Sequence, residues 1–264
     1  MGAAPNPSLL RSRMLAELPW LEHGFGTRTC GLRRPHPARA HGRLLQLRQV
    51  HGSLIWLDPA PGTAGDGMIT ARPGRLLALR TADCCPILLA DTEHRAVAAV
   101  HAGWRGTLAG IAAKAVGEMR RVFSTDPAAV RAAIGPGIRA CCYQVSAEVR
   151  DQFCARFSYA DGLFTASPTS ELALAHPALF LSGAPPGHAG NPRWAGAPGW
   201  QLDLAQANRQ QLTDAGVPSA SIDILPACTQ CLRQYYSHRR GDQGRQLSAI
   251  GIRNSALEMP LRID

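Results

Sequence analysis

Two histidines and one cysteine stand directly after apolar, strand-like runs of this sequence, in short segments rich in small residues. His51 lies in the segment QVHG, Cys84 in ADCCP and His101 in VHAGWRG. Side chains at the strand ends of one sheet can converge even when they are far apart in the chain. Two imidazoles and one thiolate suit zinc and leave a fourth position open to water, which is the catalytic pattern. Taken alone, a histidine after a strand is more often a hydrogen-bonded residue than a metal ligand, and a cysteine there is more often a small buried side chain.

The elements that must position these residues are short strands. Strand-like runs cover residues 44–50, 54–57, 76–80, 86–90 and 96–100. Apolar residues then recur with helical spacing from Leu108 to Met119, which predicts an amphipathic helix with Thr107 as N-cap. Further helices are predicted over 146–157 and 203–215, and strands over 222–225 and 247–252. Because the order lacks regular strand–helix alternation, we predict an α+β fold, a β-sheet core flanked by helices.

Length and composition favour one globular domain. The chain has 264 residues, of which 45% are hydrophobic and 18% charged, within the range that one core can serve. We predict a single domain over 1–264 with a Pro/Gly-rich excursion near 158–200. The apolar runs are far shorter than the roughly 20 residues that span a bilayer, and the N-terminus does not resemble a secretory signal. We therefore expect a cytoplasmic protein without a membrane partner.

The formal net charge of +9 comes from scattered arginines, since Lys114 is the single lysine. A basic stripe for nucleic acid is weakly supported, and 6% aromatic residues offer few stacking platforms for single strands. An anionic small substrate would use the same positive field. We expect no nucleic-acid partner, and the lack of a heptad seam favours a monomer.

The eight cysteines favour reduced thiols over a disulfide framework, because the chain is long and two pairs are adjacent in sequence. Cys228 and Cys231 form the motif CTQC. A structural zinc site of this type needs a second pair of ligands at comparable spacing, which the sequence does not offer nearby. We therefore do not expect this motif to bind metal or to do redox chemistry.

Five ordered motifs carry a resemblance that covers nearly the whole chain. They are TADCCPILLAD, VHAGWRGTLAGI, IGPGIRACCYQV, LDLAQANRQQL and CTQCLRQYYSHRRGDQGRQLSAI. Together they resemble the YfiH family, also called the laccase-domain or polyphenol-oxidase family. The resemblance implies an α+β fold and one zinc ion per chain, held by His51, Cys84 and His101. Cys84 is chosen over Cys85 because the family pattern places the ligand directly after Asp.

The family's older name implies copper oxidation of phenols, which the residue inventory argues against. A multicopper oxidase needs roughly ten histidines with paired HxH motifs, whereas this chain has 9 histidines and no HxH. The resemblance instead implies purine nucleoside metabolism. The expected reactions are phosphorolysis of adenosine, inosine and methylthioadenosine to the base and a sugar 1-phosphate, with accompanying deamination of adenosine. The expected partners are a small-molecule nucleoside and phosphate.

Phosphorolysis requires phosphate to be held beside C1′ of the ribose, for which arginine is suited. Arg48, near His51, and Arg105, in HAGWRG, are the first candidates. Arg239 and Arg240 in YSHRR are the second choice. Each of them is equally consistent with a surface ion pair.

Two further residues are candidates for proton chemistry. His238 is a possible proton carrier, and Asp83 adjoins a proposed metal ligand as a general base or an orienting group. The competing hypothesis is a cysteine hydrolase or amidase acting on peptidoglycan precursors, with Cys84 as nucleophile and His101 as its base. The segment 28–48 is shorter than is usual in the family and the excursion before Leu202 is longer, which leaves the preferred nucleoside open.

Overall fold

A computed structural model of the protein describes residues 9–29, 44–166 and 199–254, and within these ranges the strands form three sheets. The large central sheet has six strands. In spatial order they are β12 (Ile222–Ile224), β8 (Val130–Ile134), β6 (Cys85–Asp91), β7 (Val97–Ala102), β4 (Gly67–Thr70) and β3 (Ile55–Leu57). Neighbours are antiparallel except for the pairs β12–β8 and β3–β4, which are parallel.

Two further sheets complete the strand inventory of the described residues. The second sheet runs in the order β1 (Leu21–Phe25), β13 (Gln246–Ile252), β5 (Leu76–Thr81) and β2 (Leu44–Gln46). The smallest runs in the order β10 (Phe164–Ala166), β11 (Trp200–Leu202) and β9 (Gln144–Val145).

The central sheet is covered on both faces, because every residue of β6 and β7 is buried. Side chains alternate between the two faces of a strand. Ile87 and Leu89 accordingly pack in the cluster beneath the helices, whereas Leu88 and Ala90 pack in the cluster shared with the second sheet. The continuous apolar runs that predicted these two strands are typical of strands buried on both sides.

The helices are short. They are α1 (Arg13–Ala16), α2 (Trp104–Leu108), α3 (Ile111–Phe123), α4 (Ala147–Arg156) and α5 (Leu204–Asp214), with 3-10 turns at Pro127–Ala129, Ala160–Leu163 and Ser219–Ser221. The predicted helices over 146–157 and 203–215 are present, α1 was not predicted, and the helix predicted from Thr107 differs from its prediction. The helix predicted to start at Thr107 is interrupted, because Gly110 takes a left-handed φ of 78° between α2 and α3. Thr107 is not an N-cap; it is buried in α2, where its hydroxyl contacts the Asn208 side chain of α5.

The predicted α+β class is confirmed by this arrangement. Most of the predicted excursion, residues 167–198, lies outside the described residues, as do residues 30–43 of the short segment. The single-domain boundary therefore stays a prediction. Within the part of the chain that the structure describes, the helices are all too short or too polar to cross a bilayer.

One buried histidine of the second sheet predicts a pH dependence of stability. His23 on β1 accepts a hydrogen bond from the Ser12 N–H at 3.1 Å, and burial, aided by Arg11, lowers its pKa from 6.5 to about 4. Between these two values the unfolded chain binds a proton that the folded chain does not, so the folded state loses stability as the pH falls. The loss from this group approaches about 1.4 kcal/mol per pH unit.

Urea unfolding of the wild type and the His23→Gln variant at pH 7, 6 and 5 measures this contribution. The glutamine carbonyl can still accept the Ser12 hydrogen bond but does not titrate. We expect the wild type to lose stability more steeply than the variant as the pH falls. Parallel pH profiles for the two proteins would show that His23 does not stay neutral in the folded state.

Candidate active site

The pairing of β6 with β7 brings Cys84 and His101 to one edge of the central sheet. Cys84 immediately precedes β6, and His101 lies near the end of β7 opposite Pro86. Since the two strands are antiparallel, the start of one lies beside the end of the other. On the other side of β7, the residue before β4 is Asp66, whose carbonyl accepts the His101 N–H at 2.7 Å. Three strand ends therefore meet at this edge.

The loop that carries His51 is fixed at the same edge by the Asp66 carboxylate. Asp66 accepts backbone N–H groups from His51 at 2.9 Å, Gly52 at 2.7 Å and Val50 at 3.3 Å. His51 takes a left-handed backbone with φ 60°, which is uncommon for a residue with a side chain. The network of N–H groups stabilises this conformation and turns the imidazole toward His101.

The three predicted metal ligands converge. One donor atom from each of His51, Cys84 and His101 lies within 4.8 Å of the others, and the two imidazole rings meet edge to face with centroids 4.8 Å apart. Gly103 allows this approach, because a Cβ there would lie 3.0 Å from the Cys84 Sγ and 3.3 Å from the His51 ring. The donor set thus fits a single metal ion, with two nitrogens and one sulfur.

Asp66 also orients one of the ligands. Its carboxylate lies 2.8 Å from the His101 Nδ1, and both side chains are buried. A carboxylate that accepts the Nδ1–H leaves the lone pair on Nε2 for a metal, an arrangement common around metal-bound histidines. The sequence analysis did not single out Asp66. The available signal was an acidic residue directly before the apolar run GMIT.

The surroundings shift the pKa values of the donor groups in different ways. Burial, followed by the neighbouring His101 and the cations Arg105 and Arg245, lowers the pKa of His51 and keeps its imidazole neutral at physiological pH. Burial also raises the pKa of the Cys84 thiol to about 12. A metal ion would have to displace that proton, since the thiolate is the form that binds. Burial opposes ionisation of Asp66, but its hydrogen bonds from His101 and Gly52 outweigh this and lower its pKa.

Asp83 lies beside the metal ligands, but both oxygens of its carboxylate already accept hydrogen bonds from other residues. Its Oδ1 accepts the Thr229 hydroxyl at 2.7 Å, and its Oδ2 accepts the Arg239 backbone N–H at 2.7 Å. Its own backbone is left-handed, with φ 89°. These contacts tie the turn before β6 to the segment after Cys228 and fix the direction in which Cys84 leaves it.

A pocket of about 830 Å³ opens above the three ligands. Its cationic lining residues are Arg80, Arg105, Arg239 and Arg245. Its aromatic lining residues are Trp104 and Tyr143, and His238 also lines it. The Arg105 guanidinium stacks on Trp104 at 4.4 Å from the ring centroid, and that of Arg239 lies 5.3 Å from the Tyr143 centroid. A cationic pocket with aromatic walls suits an anion together with a planar base.

Two predicted anion-binding residues do not line this pocket. Leu47 and Gln49 do, so the intervening Arg48 falls on the opposite side of the extended segment. Arg240 is held elsewhere by the Asp242 carboxylate and by the carbonyls of Thr229 and Gln230. Neither side chain is placed to contact a ligand beside the metal-type residues.

The model of a family described as multi-copper polyphenol oxidoreductase laccase matches residues 36–253. The chain belongs to this family. The match includes all three metal-type ligands and every residue that lines the pocket, and it confirms the resemblance found in the motifs.

Curated relatives within this family carry names from nucleoside metabolism. A protein of Deinococcus radiodurans named purine nucleoside phosphorylase is 35% identical over 78% of this chain and 69% of its own length. Purine nucleoside phosphorylase YlmD of Geobacillus stearothermophilus is 36% identical over 77% of this chain and 65% of its own. Adenosine deaminase RL5, from an unknown prokaryotic organism, is 34% identical over 66% of this chain and 56% of its own. The chain thus spans between about half and about two thirds of the length of these relatives.

Solved structures of the family share the fold. The hypothetical protein YfiH of Bacillus licheniformis superposes with a TM-score of 0.74 at 27% identity, covering 94% of this chain and 98% of that one. YlmD of Geobacillus stearothermophilus gives a TM-score of 0.69 at 29% identity over 92% and 94% of the two chains.

Proposed function

We propose that this protein is a zinc-dependent purine nucleoside phosphorylase that also deaminates adenosine. The observation that carries the proposal is the convergence of His51, Cys84 and His101 beneath a pocket lined by four arginines. The names of the relatives, which include a purine nucleoside phosphorylase and an adenosine deaminase, support the same substrate class. Adenosine, inosine and methylthioadenosine are the proposed nucleosides.

The donor set favours zinc as the resident metal. Imidazole and thiolate are the ligands that zinc takes in catalytic sites, with a further position open. When bound there, the ion would act as a Lewis acid that can orient an anionic phosphate oxygen for phosphorolysis and can lower the pKa of a coordinated water to about 7 for deamination at C6 of adenine. Asp66 contributes by holding His101 in the tautomer that binds through Nε2.

The arginines of the pocket are the proposed phosphate-binding groups. In phosphorolysis a phosphate oxygen forms a bond to C1′ while the bond from C1′ to N9 of the purine breaks. Arg105 is exposed at the pocket, and its guanidinium stacks on the half-buried Trp104 ring. Arg239 replaces Arg48 as the second candidate, because its side chain lines the pocket and donates to the Gln144 carbonyl at 2.9 Å.

The leaving purine needs a surface to lie on and a proton. Trp104 and Tyr143 offer aromatic rings in the pocket wall, and a purine stacks on such rings. His238, exposed at the same pocket, is the proposed proton donor to the departing base. Of the two roles considered for Asp83, we favour the orienting one, because both of its carboxylate oxygens already accept hydrogen bonds.

The cysteine hydrolase hypothesis is less consistent with the site. A nucleophilic cysteine works as the thiolate, which requires a lowered pKa. Burial instead raises the pKa of Cys84 to about 12, and the Asp66 carboxylate adds to this shift. These features favour a thiol that ionises only when a metal replaces its proton.

Loss of one phosphate-binding arginine predicts a measurable kinetic change. Replacing Arg105 by Ala removes a charge-assisted contact worth about 1.5–3 kcal/mol. We expect the phosphate KM to rise or kcat to fall by about tenfold or more. The matched control is Arg121→Ala, which removes an exposed arginine paired with Glu118 on α3. If Arg105→Ala and Arg239→Ala both keep the wild-type phosphate dependence, the assignment of these arginines is wrong.

Product analysis tests the proposed function. Zinc-loaded protein is incubated with adenosine in the presence and absence of phosphate, and the products are separated by chromatography. We expect adenine and ribose 1-phosphate only when phosphate is present, and inosine in both reactions. Failure to form either product, together with cleavage of a muropeptide amide, would replace this proposal with the cysteine hydrolase.

A further inference from the structure

Four cysteines outside the active site form a second sulfur cluster. One sulfur from each of Cys141, Cys142, Cys228 and Cys231 lies within 4.8 Å of all the others. The measured Sγ separations are 3.6 Å between Cys141 and Cys142, 3.6 Å between Cys141 and Cys231, and 3.4 Å between Cys142 and Cys231. The second pair of ligands that the CTQC motif lacks in its own neighbourhood is thus supplied from elsewhere in the chain.

The central sheet places the two pairs together. β8 and β12 are parallel neighbours, and the segments that follow them stay paired through a bridge between Gly137 and Cys228. The Thr229 N–H donates to the Gly137 carbonyl at 3.1 Å. Each segment then turns back, with the Cys142 N–H donating to the Arg139 carbonyl at 2.9 Å. Both cysteine pairs therefore sit on turns that leave adjacent strands.

The sulfur separations fit one tetrahedral metal ion. A zinc–sulfur bond of about 2.3 Å places the corners of a tetrahedron about 3.8 Å apart, close to the observed 3.4 to 3.6 Å. A disulfide would require about 2.05 Å. An iron–sulfur cluster distributes its thiolates over two or four irons and so holds them farther apart.

Backbone and side-chain contacts hold the turn that carries Cys228 and Cys231. The backbone N–H groups of Cys231 and Arg139 face the Cys228 sulfur. The Arg240 guanidinium donates to the carbonyls of Thr229 and Gln230, the two residues between the cysteines of CTQC. The Arg240 guanidinium, which is also paired with Asp242, thereby braces the turn that carries Cys228 and Cys231.

We propose that Cys141, Cys142, Cys228 and Cys231 bind a second zinc ion in a closed, structural site. Four protein ligands leave no position for substrate, which distinguishes this site from the three-ligand one. The proposal is independent of the reaction that the protein catalyses. It raises the expected zinc content from the one ion per chain predicted from the sequence to two.

The position of the cluster gives the ion a structural role at the active site. Thr229, next to Cys228, donates its hydroxyl to Asp83, the neighbour of the ligand Cys84. Tyr143, next to Cys142, lines the pocket. An ion that clamps the two turns would hold both contacts in place.

Metal counting on the full-length protein tests the second site. The protein is loaded with excess zinc, freed of loosely bound metal, and analysed by inductively coupled plasma mass spectrometry. We expect two zinc ions per wild-type chain, one in Cys231→Ala, one in Cys84→Ala and none in the double variant. The matched control is Cys154→Ala, which removes a cysteine outside both clusters and should retain two.

Cobalt provides a readout that does not depend on the folding of Cys231→Ala. In the Cys84→Ala variant, whose four-cysteine cluster is intact, one Co²⁺ should bind and give the intense near-ultraviolet charge-transfer absorption of several thiolates. One zinc in the wild type that is lost in Cys84→Ala but kept in Cys231→Ala would overturn the second site and leave the proposed function standing. Absence of cobalt binding to Cys84→Ala would also overturn it.

Discussion

The Cys84→Ala variant is expected to lose the metal held with His51 and His101. We also expect its nucleoside turnover to fall on the order of 10³-fold, which is the usual effect of removing a principal electrostatic contact from an active site. Removing the thiolate leaves two imidazoles, one of which is exposed. Metal content and the rate of ribose 1-phosphate formation measure the two effects separately.

Cys85→Ala is the control for this variant, because the adjacent side chain is fully buried and belongs to the core of the central sheet. It should retain the metal of the three-ligand site. Stoichiometric retention of that metal by Cys84→Ala, with loss in Cys85→Ala, would show that the ligand assignment is shifted by one residue.

Replacing Asp66 by Asn should weaken metal binding by about 10- to 100-fold, the usual cost of losing the partner of a metal-bound histidine. The fully buried carboxylate accepts from the His101 Nδ1 and from the backbone N–H groups of the His51 loop. An amide offers one accepting oxygen and turns its NH₂ group toward the other donors. We also expect a loss of about 1–3 kcal/mol of stability from the unpaired donors.

Competition with a chelator of known affinity measures the metal effect. Asp91→Asn provides the control, because Asp91 is equally buried and holds His94 at 3.0 Å through the same kind of contact, remote from the metal-type residues. It should lose stability without loss of metal affinity. Equal metal affinities for Asp66→Asn and the wild type would show that Asp66 has only a structural role.

The strand ends of the active site could be predicted because β6 and β7 are buried on both faces. Their apolar runs are therefore uninterrupted, and Cys84 and His101 stand at the boundaries of those runs. Whether Arg48 contacts the pocket depends on which face of its segment turns toward the pocket. The sequence of this irregular segment does not indicate that face. Gly110 interrupts the predicted helix because its backbone is left-handed. The spacing of apolar residues, on which the helix was predicted, carries no information about that conformation.

The four-cysteine cluster was beyond sequence reasoning for a different reason. Cys141 and Cys231 are 90 positions apart, and they meet only because β8 and β12 pair in parallel. Metal motifs are recognised by close spacing within each pair and between pairs. Here the second pair, Cys141 and Cys142, consists of adjacent residues in a turn, and such a spacing does not indicate a metal site.

The central claim is that the three-ligand site and the pocket above it catalyse phosphorolysis of purine nucleosides. The most direct measurement is the yield of ribose 1-phosphate from inosine and phosphate, compared between zinc-loaded wild type and Cys84→Ala under identical conditions. The account predicts hypoxanthine and ribose 1-phosphate in equal amounts from the wild type, and on the order of 10³-fold less of both from the variant. Equal rates for the two proteins, or no phosphate-dependent product from the wild type, would contradict it.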